Sequence, residues 1–379
     1  MTKIFDQFLK EPSDVSCGCD ETCCGSRQGP VDDGSADRLK DHPWTTGRTN
    51  TPAGDIPLVS TSLSFADRVG TLRMRLGIGR MTYTISPGLY GVGRPDAQSP
   101  VYVTANYKMS FDRVRQALDG LDGWLLVLDT RGINVWCAAG KGTFGTDELV
   151  RRIKSSGLAQ IVSHRKLILP QLGAPGVAAH EIAKRTKFHV VYGPVYAEDI
   201  PEFMRAGMKT TPAMRKVRFA LKDRLILTPI ELSGIARHWA FLLFLGLWIL
   251  RLLGVRVFSV DFPAILAAVV VGAVLVPIFL PWIPGRAFAW KGWLLGLVLA
   301  IAVCAIKGLP VMAAGWAATL SYFLILPAIS GFLAMNFTGS SPITSLSGVV
   351  KEMRTAVPLI ALSAVLGVAA MIASAVLKS

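Results

Sequence analysis

Residues 101–128, from Val101 to Leu128, read VYVTANYKMSFDRVRQALDGLDGWLLVL. Val101–Val103 is a short apolar run, Phe111–Leu121 carries its apolar residues at helical spacing, and Trp124–Leu128 is a second continuous apolar run. Strands apolar at every position are buried on both faces, and the helices that alternate with them supply the cover. The same alternation continues outward. A helix is expected over Thr146–Ser156, a strand at Leu167–Leu169, a helix over Val177–Lys184, a strand at His189–Tyr192 and a short helix over Asp199–Ala206. The expected fold is therefore α/β, a parallel sheet with helices on both faces. Ligands of such sheets lie beyond the carboxyl ends of the strands, here Thr104–Lys108, Thr130–Gly142, Pro170–Gly173 and Gly193–Val195.

The flanks differ in kind. Residues 1–55 are rich in Asp, Ser, Gly and Thr without apolar periodicity and read as a flexible tail, and residues 56–100 are punctuated by Pro and Gly. Residues 1–230 carry 31 Lys+Arg against 23 Asp+Glu, whereas residues 231–379 carry 9 against 3. The apolar residues accumulate after residue 238 and raise the mean hydropathy to +0.44, too high for a plain soluble protein. The expected domains are a tail (1–55), an α/β domain (56–210), a basic juxtamembrane linker (211–237) and a transmembrane domain of five helices (238–379). Spans are expected at about 238–253, 262–280, 293–306, 309–334 and 357–377. The start, MTKIFDQFLKEPSDV, lacks the apolar core of a signal peptide, so the first half is expected in the cytoplasm. Residues 205–224 hold seven basic residues and one acid, fitting an anionic inner leaflet. That places Arg286, Lys291, Lys351 and Arg354 inside and Arg251, Arg256 and Lys307 outside, in a multi-pass protein of the cytoplasmic membrane. With no ionisable pair in mid-span, an anchor is favoured over a transporter. Nucleic acid is not an expected partner.

Between the second strand and the next helix lies Thr130–Gly145, TRGINVWCAAGKGTFG. A phosphate-binding loop is excluded at two positions: Val135 stands where its first Gly belongs, and Gly142 where Ser or Thr must follow the Lys. What remains is Cys137 in a short Ala-rich helical turn. Lys141 lies four residues on and shares its face, a setting that favours a thiolate. A buried Cys after a strand is more often a small packing residue, and both alternatives stay open on the residues alone.

The segment Asn134-Val135-Trp136-Cys137-Ala138-Ala139-Gly140-Lys141 resembles the cap-helix motif of the mercury-methylating corrinoid proteins. Pro100–Asp112 resembles a segment of the corrinoid iron–sulfur proteins of the acetyl-CoA pathway, and Met335–Arg354 resembles the last loop of the former family and the carboxyl-terminal tail of the latter. The resemblance implies a Rossmann-like corrinoid-binding domain. Cys137 would be the catalytic residue and the lower axial ligand to the cobalt of a cobalamin-type corrinoid. Asn134, Val135, Trp136, Ala138, Ala139, Gly140 and Lys141 would form the capping helix. Thr104, Asn106, Gly173 and Gly193 at strand ends would contact the corrin or its nucleotide tail; for the two glycines a structural turn role is as good an account. The Asp-x-His-x-x-Gly signature is absent, since none of His42, His164, His180, His189 and His238 fits it.

The implied activity is a corrinoid-dependent methyltransferase that passes a methyl group from cobalt to mercury(II). A thiolate is a strong donor and would favour leaving of the methyl as a carbanion equivalent. The alternative is a membrane-bound corrinoid methyl carrier serving one-carbon and acetyl-CoA metabolism. The implied partners are a ferredoxin-like protein with two 4Fe–4S clusters, an upstream methyl-donor protein, mercury(II) as substrate and membrane lipid. The chain itself has no Cys-x2-Cys-x2-Cys-x3-Cys pattern. Cys17, Cys19, Cys23 and Cys24 lie within eight residues and suit capture of a soft metal such as mercury(II), against the plainer account of a flexible tail with incidental cysteines. Cys304, inside an apolar span, is expected to be packing.

Overall fold

The computed structural model describes residues 39, 41–80, 82–254, 261–308, 316–337 and 346–376. Cys17, Cys19, Cys23 and Cys24 lie outside the described residues, as do residues 338–345 of the Met335–Arg354 segment. Two compact units result: one running to Met74 and over Ile78–Val217, the other over Arg75–Gly77 and from Arg218 onward.

The first unit is built on one seven-stranded sheet, β1 (Thr45–Thr51), β2 (Gly54–Val59), β3 (Gly88–Val92), β4 (Val101–Ala105), β5 (Gly123–Leu128), β6 (Lys166–Leu169) and β7 (His189–Tyr192), in the order β1-β2-β3-β5-β4-β6-β7. The strands β5, β4, β6 and β7 are mutually parallel, as the buried apolar runs require. The sheet as a whole is mixed: β3 runs antiparallel to β5, and β1 antiparallel to β2. Thr45–Thr51 therefore is a strand within the stretch that composition assigns to the tail. It reads TTGRTNT, with no apolar residue and mostly exposed or half-buried positions, which suits an edge strand and leaves no alternation to detect.

Helices cover both faces. On one face Val101, Val103, Ala105, Leu126, Leu128, Leu167 and Leu169 pack with Ala138, Ala139, Phe144, Leu149 and Ile182. Ala138 and Ala139 come from α3 (Val135–Gly140), Leu149 from α4 (Thr146–Ser155), Ile182 from α6 (Ala179–Thr186) and Phe144 from the loop between α3 and α4, with the short α5 (Leu158–Ile161) beside them. On the other face Tyr90, Tyr102, Leu125, Val127 and Ile168 pack with Phe111, Leu118 and Phe203, from or beside α2 (Lys108–Ala117) and α7 (Ile200–Arg205). The chain leaves β4 toward β5 on one side and later returns to place β6 on the other. The order thus reverses between β4 and β6, the position where such sheets open a crevice.

A buried ionic quartet ties α2 to α1 (Phe65–Arg75). Lys108 Nζ donates to Asp67 Oδ1 and to both Asp112 oxygens, each at 2.7 Å. Arg115 donates to Asp112 Oδ1 and Asp67 Oδ2, both at 2.8 Å, and to the carbonyls of Ser60 and Ser62. Two cations and two carboxylates balance, so the burial is tolerable. Burial acts to raise the Asp67 carboxyl, but the hydrogen bond and charge of Lys108 and the donors of Ser64 outweigh it and hold Asp67 well below the usual carboxylate range. Burial, then the charges of Asp112 and Asp67, push the nearby Tyr83 hydroxyl up to about 12.

The second unit is helical: α8 (Leu221–Arg237), α9 (Trp239–Leu252), α10 (Phe262–Phe279), α11 (Phe288–Ile306), α12 (Trp316–Asn336) and α13 (Leu346–Val376). Four of these, α10 to α13, are long and apolar enough to cross a membrane; a fifth crossing requires α8 and α9, bent by 69° at their junction, to act as one span. The 14 residues of α9 reach only about 21 Å at 1.5 Å per residue, short of a ~30 Å hydrocarbon core. Val271–Leu275 forms a wide turn within α10 just before Pro277, where proline withdraws a backbone donor and a π-bulge absorbs the mismatch. Gly292 and Gly296 of α11 meet α12 so closely that a Cβ would lie 2.4 Å from the Ser330 carbonyl and 2.0 Å from its hydroxyl. Cys304 is buried here, as expected for packing.

Candidate functional site

The segment that bears Cys137 begins where β5 ends. Arg131 and Gly132 both adopt left-handed backbone, at φ 55° and 74°, so the chain reverses sharply there. This turn is held from β4. Asn106, 6% exposed, accepts at Oδ1 from the amides of Thr130 (3.1 Å) and Gly132 (3.0 Å) and lies 2.8 Å from the Thr130 hydroxyl, while its Nδ2 donates to Asp129 (3.3 Å). The Thr130 hydroxyl has a second acceptor in the Ile133 carbonyl at 2.7 Å. From the other side Glu148 in α4 accepts the Asp129 amide at 2.8 Å and is itself gripped by Arg152, which is 3% exposed. Buried polar groups joined this way define one loop conformation.

The helix α3 that follows is capped by Asn134, whose side chain accepts the Cys137 amide at 2.9 Å. Its two sides differ completely. Ala138 and Ala139 are buried against the sheet, with Val135 half-buried beside them. Trp136, Cys137, Gly140 and Lys141 are exposed, with Trp136 48% exposed. Positions i, i+1, i+4 and i+5 fall on one side of a helix, so a thiol, an indole and a lysine surround a glycine floor. Among the described residues a Cβ added at Gly140 or at the adjoining Gly142 meets nothing within 4 Å.

The buried side is set by close approach. Gly176, at the end of the short 3-10 helix after β6 (Gln171–Gly176), lies so near that a Cβ would stand 2.1 Å from the Phe144 carbonyl and 3.0 Å from Ala139 Cα. A Cβ at Gly173 would lie 2.5 Å from the Phe144 ring. Together these glycines let the β6 loop press on α3 and fix how far it stands from the sheet.

The expected site residues therefore separate. Trp136, Cys137, Gly140 and Lys141 share one open surface, and half-buried Asn134 caps the helix that carries them. Ala138 and Ala139 line the opposite, buried side of the same helix. Thr104 is 1% exposed and alternates with Val103 and Ala105, so it faces the Tyr102 side of the sheet, away from α3. Gly193 continues the ladder, its amide donating to the Leu169 carbonyl at 2.8 Å, and its missing Cβ makes room for Ile168. Asn106 is engaged by the Asp129–Gly132 turn. Sequence reasoning missed Glu148 and Gly176. The signal for the loop was an Asn closing one apolar strand and an Asp-Thr-x-Gly turn closing the next.

Among the described residues no group of three or more His, Cys, Asp or Glu side chains is placed to hold a metal ion. A metal presented to Cys137 has to bring most of its ligands with it.

The family model described as CO dehydrogenase/acetyl-CoA synthase delta subunit matches residues 72–204, the stretch from α1 to α7. Acetyl-CoA decarbonylase/synthase complex subunit gamma of Methanocaldococcus jannaschii is 34% identical over 128 residues, 33% of this chain and 26% of that protein. The subunit of the same name from Methanopyrus kandleri is 32% identical over 122 residues, 32% of this chain and 26% of that protein. The matched stretch spans about a quarter of the length of each relative. These matches correct the expectation of a mercury-methylating corrinoid protein and of an enzyme that methylates mercury(II): what the chain is similar to are subunits of an acetyl-CoA-forming complex. Mercury(II) as substrate and a ferredoxin as partner find no support in them. Through its α/β unit, the chain is similar to proteins of acetyl-CoA synthesis and decarbonylation.

Proposed function

We propose that this chain is a membrane-anchored, corrinoid-binding methyl carrier of one-carbon and acetyl-CoA metabolism. The observation that carries it is the outer surface of α3: an exposed thiol beside an open glycine floor, at the carboxyl ends of parallel strands, within the stretch similar to the acetyl-CoA synthase subunits.

The residues present fit a flat, bulky group. Among the described residues nothing stands above Gly140 and Gly142 within reach of a side-chain carbon. Trp136 offers an apolar edge, and Lys141 a cation for propionamide-type oxygens or a phosphate tail. A corrinoid, when bound, would supply a cobalt centre that takes up and gives up a methyl group. The protein's part is to hold and tune. Cys137 would offer its exposed sulfur as a donor to that metal. Asn134 fixes the Cys137 backbone by accepting its amide. The frame of Asn106, Thr130 and Glu148 fixes the turn from which α3 starts. Ala138, Ala139 and Gly176 hold the helix tight to the sheet, so the sulfur has little freedom to retreat. Such support keeps a donor within the tolerance that ligation demands.

The apolar helices of the second unit act as the anchor in the cytoplasmic membrane, with the α/β unit on the cytoplasmic side. By the names of its relatives, the partners of a carrier of this kind are other subunits of an acetyl-CoA decarbonylase/synthase complex.

The test is anaerobic purification of the full chain in detergent, reconstitution with a cobalamin-type corrinoid and incubation with an acetyl-CoA decarbonylase/synthase after loading with a labelled methyl group. Cobalt near one per chain and label in acetyl-CoA are expected. Cobalt at background after reconstitution contradicts corrinoid binding; bound cobalt without label transfer contradicts the carrier role.

A further inference from the structure

One end of the helical unit, where the chain enters it at Arg218, gathers cations and indoles from separate segments. Arg224 of α8 is 3% exposed and donates Nη1 to the carbonyls of Pro277 (3.2 Å) and Ile278 (2.6 Å), at the carboxyl end of α10. Lys291, in the first turn of α11 and 9% exposed, donates to the Leu280 carbonyl at 2.5 Å. Two buried cations thus cap the negative end of one helix.

Exposed cations stand around them. Lys222 lies two residues before Arg224, and Arg286 lies between the capped carbonyls and Lys291. Glu352 of α13 accepts the Ala289 amide at 2.7 Å, which brings Lys351 and Arg354 to the start of α11. The acids at this end are Asp223 and Glu352. Both accept a backbone amide, Asp223 that of Ala220 at 2.9 Å. Among the described residues none of the six cations has a carboxylate within ion-pair distance. The indoles of Trp282 and Trp290 are 68% and 48% exposed, Trp290 stacks on Trp293 at 5.2 Å, and the Arg224 guanidinium sits 5.6 Å over Trp282.

A surplus of positive charge edged by exposed indoles at the ends of apolar helices is the pattern of a water–lipid boundary on an anionic leaflet. We infer that this end of the helical unit is a binding surface for the phosphate headgroups of anionic phospholipids. The exposed indoles select a lipid over a free phosphate, because only a lipid brings apolar chains to cover them. The inference goes beyond the 205–224 basic segment, since four of its six cations, Arg286, Lys291, Lys351 and Arg354, come from the loops and helix starts 280 residues and more into the chain. It rests on the helical unit spanning a membrane, which carbonate extraction tests separately, and not on corrinoid binding.

The experiment is native mass spectrometry of the full chain in micelles with equimolar phosphatidylglycerol and phosphatidylcholine. Preferential retention of phosphatidylglycerol is expected. Each cation near an anionic surface contributes up to about fivefold, so the combined K222Q/R286Q/K351Q/R354Q variant loses the preference. R251Q, which neutralises an exposed cation of α9, and the charge-preserving K222R/K351R variant keep it. Equal retention of the two lipids by the wild-type chain overturns the inference whatever the variants do. Displacement of phosphatidylglycerol by millimolar inorganic phosphate, or loss of preference in R251Q equal to that in the quadruple variant, overturns it as well.

Discussion

Asn106→Ala is the substitution that bears most directly on how the fold delivers Cys137. It leaves the β4 backbone intact and deletes one buried amide group. Two backbone donors, Thr130 N and Gly132 N, lose their acceptor in a place where Thr130 is wholly buried. The Thr130 hydroxyl loses little, because the Ile133 carbonyl lies within reach at 2.7 Å. An orphaned buried donor costs about 1–3 kcal/mol, and water entering the new space recovers part, so a loss of about 2–4 kcal/mol is expected. Confined to the loop, that is roughly a 30- to 700-fold loss of amide protection. Hydrogen exchange resolves it residue by residue: Thr130, Gly132 and the first turn of α3 should exchange faster, while β4 and β5 stay protected. Alkylation of Cys137 should change rate in parallel, since the helix that carries it starts from this turn. Wild-type protection at Thr130 and Gly132, with unfolding in urea changed by less than about 0.5 kcal/mol, would refute the role given to Asn106.

Three further outcomes follow from the geometry. Arg115→Met leaves Asp67 and Asp112 sharing Lys108 alone, and breaking a buried pair on one side costs about 3–5 kcal/mol; urea unfolding of the full chain measures it, and a change under about 1 kcal/mol contradicts the account. The folded Asp67 carboxyl titrates below its ordinary value of 3.8, so its contribution is full above about pH 4 and is lost as pH falls through and below that value; a stability profile flat from pH 5 down to 2.5 contradicts the quartet's charged state. Gly176→Ala drives a methyl into the Phe144 carbonyl and Ala139 and should cost about 1–3 kcal/mol, whereas Gly140→Ala meets open space and should be neutral or stabilising by roughly 0.5–1 kcal/mol yet weaken corrinoid binding; the pair is separated by comparing melting with cobalt retention, and equal effects on both would contradict the two-sided picture of α3.

Much of the α/β unit is legible because its central strands are apolar at every position. Trp124–Leu128 and His189–Tyr192 stand where their composition puts them, within a residue at the ends. The β1–β2 hairpin is not legible, because an edge strand of Thr, Arg and Asn buries little and needs no apolar pattern. Its presence, with antiparallel β3, is why the sheet is mixed rather than purely parallel. In the helical unit, apolar length marks α10 to α13, but the first expected span is a short helix set at a sharp bend to α8, and composition says nothing of bends. At the site, the Asn134–Lys141 stretch is found from its unusual residues. Which of them face outward was not written there, and neither was the sheet side of Thr104. Gly173 and Gly193 look like ligand-contact positions in sequence because a glycine at a strand end serves a ligand or a neighbouring ring equally well. Only the distance to Phe144 or Ile168 decides. Asn106 was found at the right strand end, but its work is to hold a loop.

In the proposed carrier the exposed thiol on α3 meets the metal of a corrinoid seated on that surface. Cobalt K-edge absorption of the reconstituted full chain measures it directly. A sulfur scatterer is expected in the cobalt shell of the wild-type chain, and it disappears in Cys137→Ala with the α/β unit still folded. The same cobalt shell in both chains, with no sulfur in either, contradicts it.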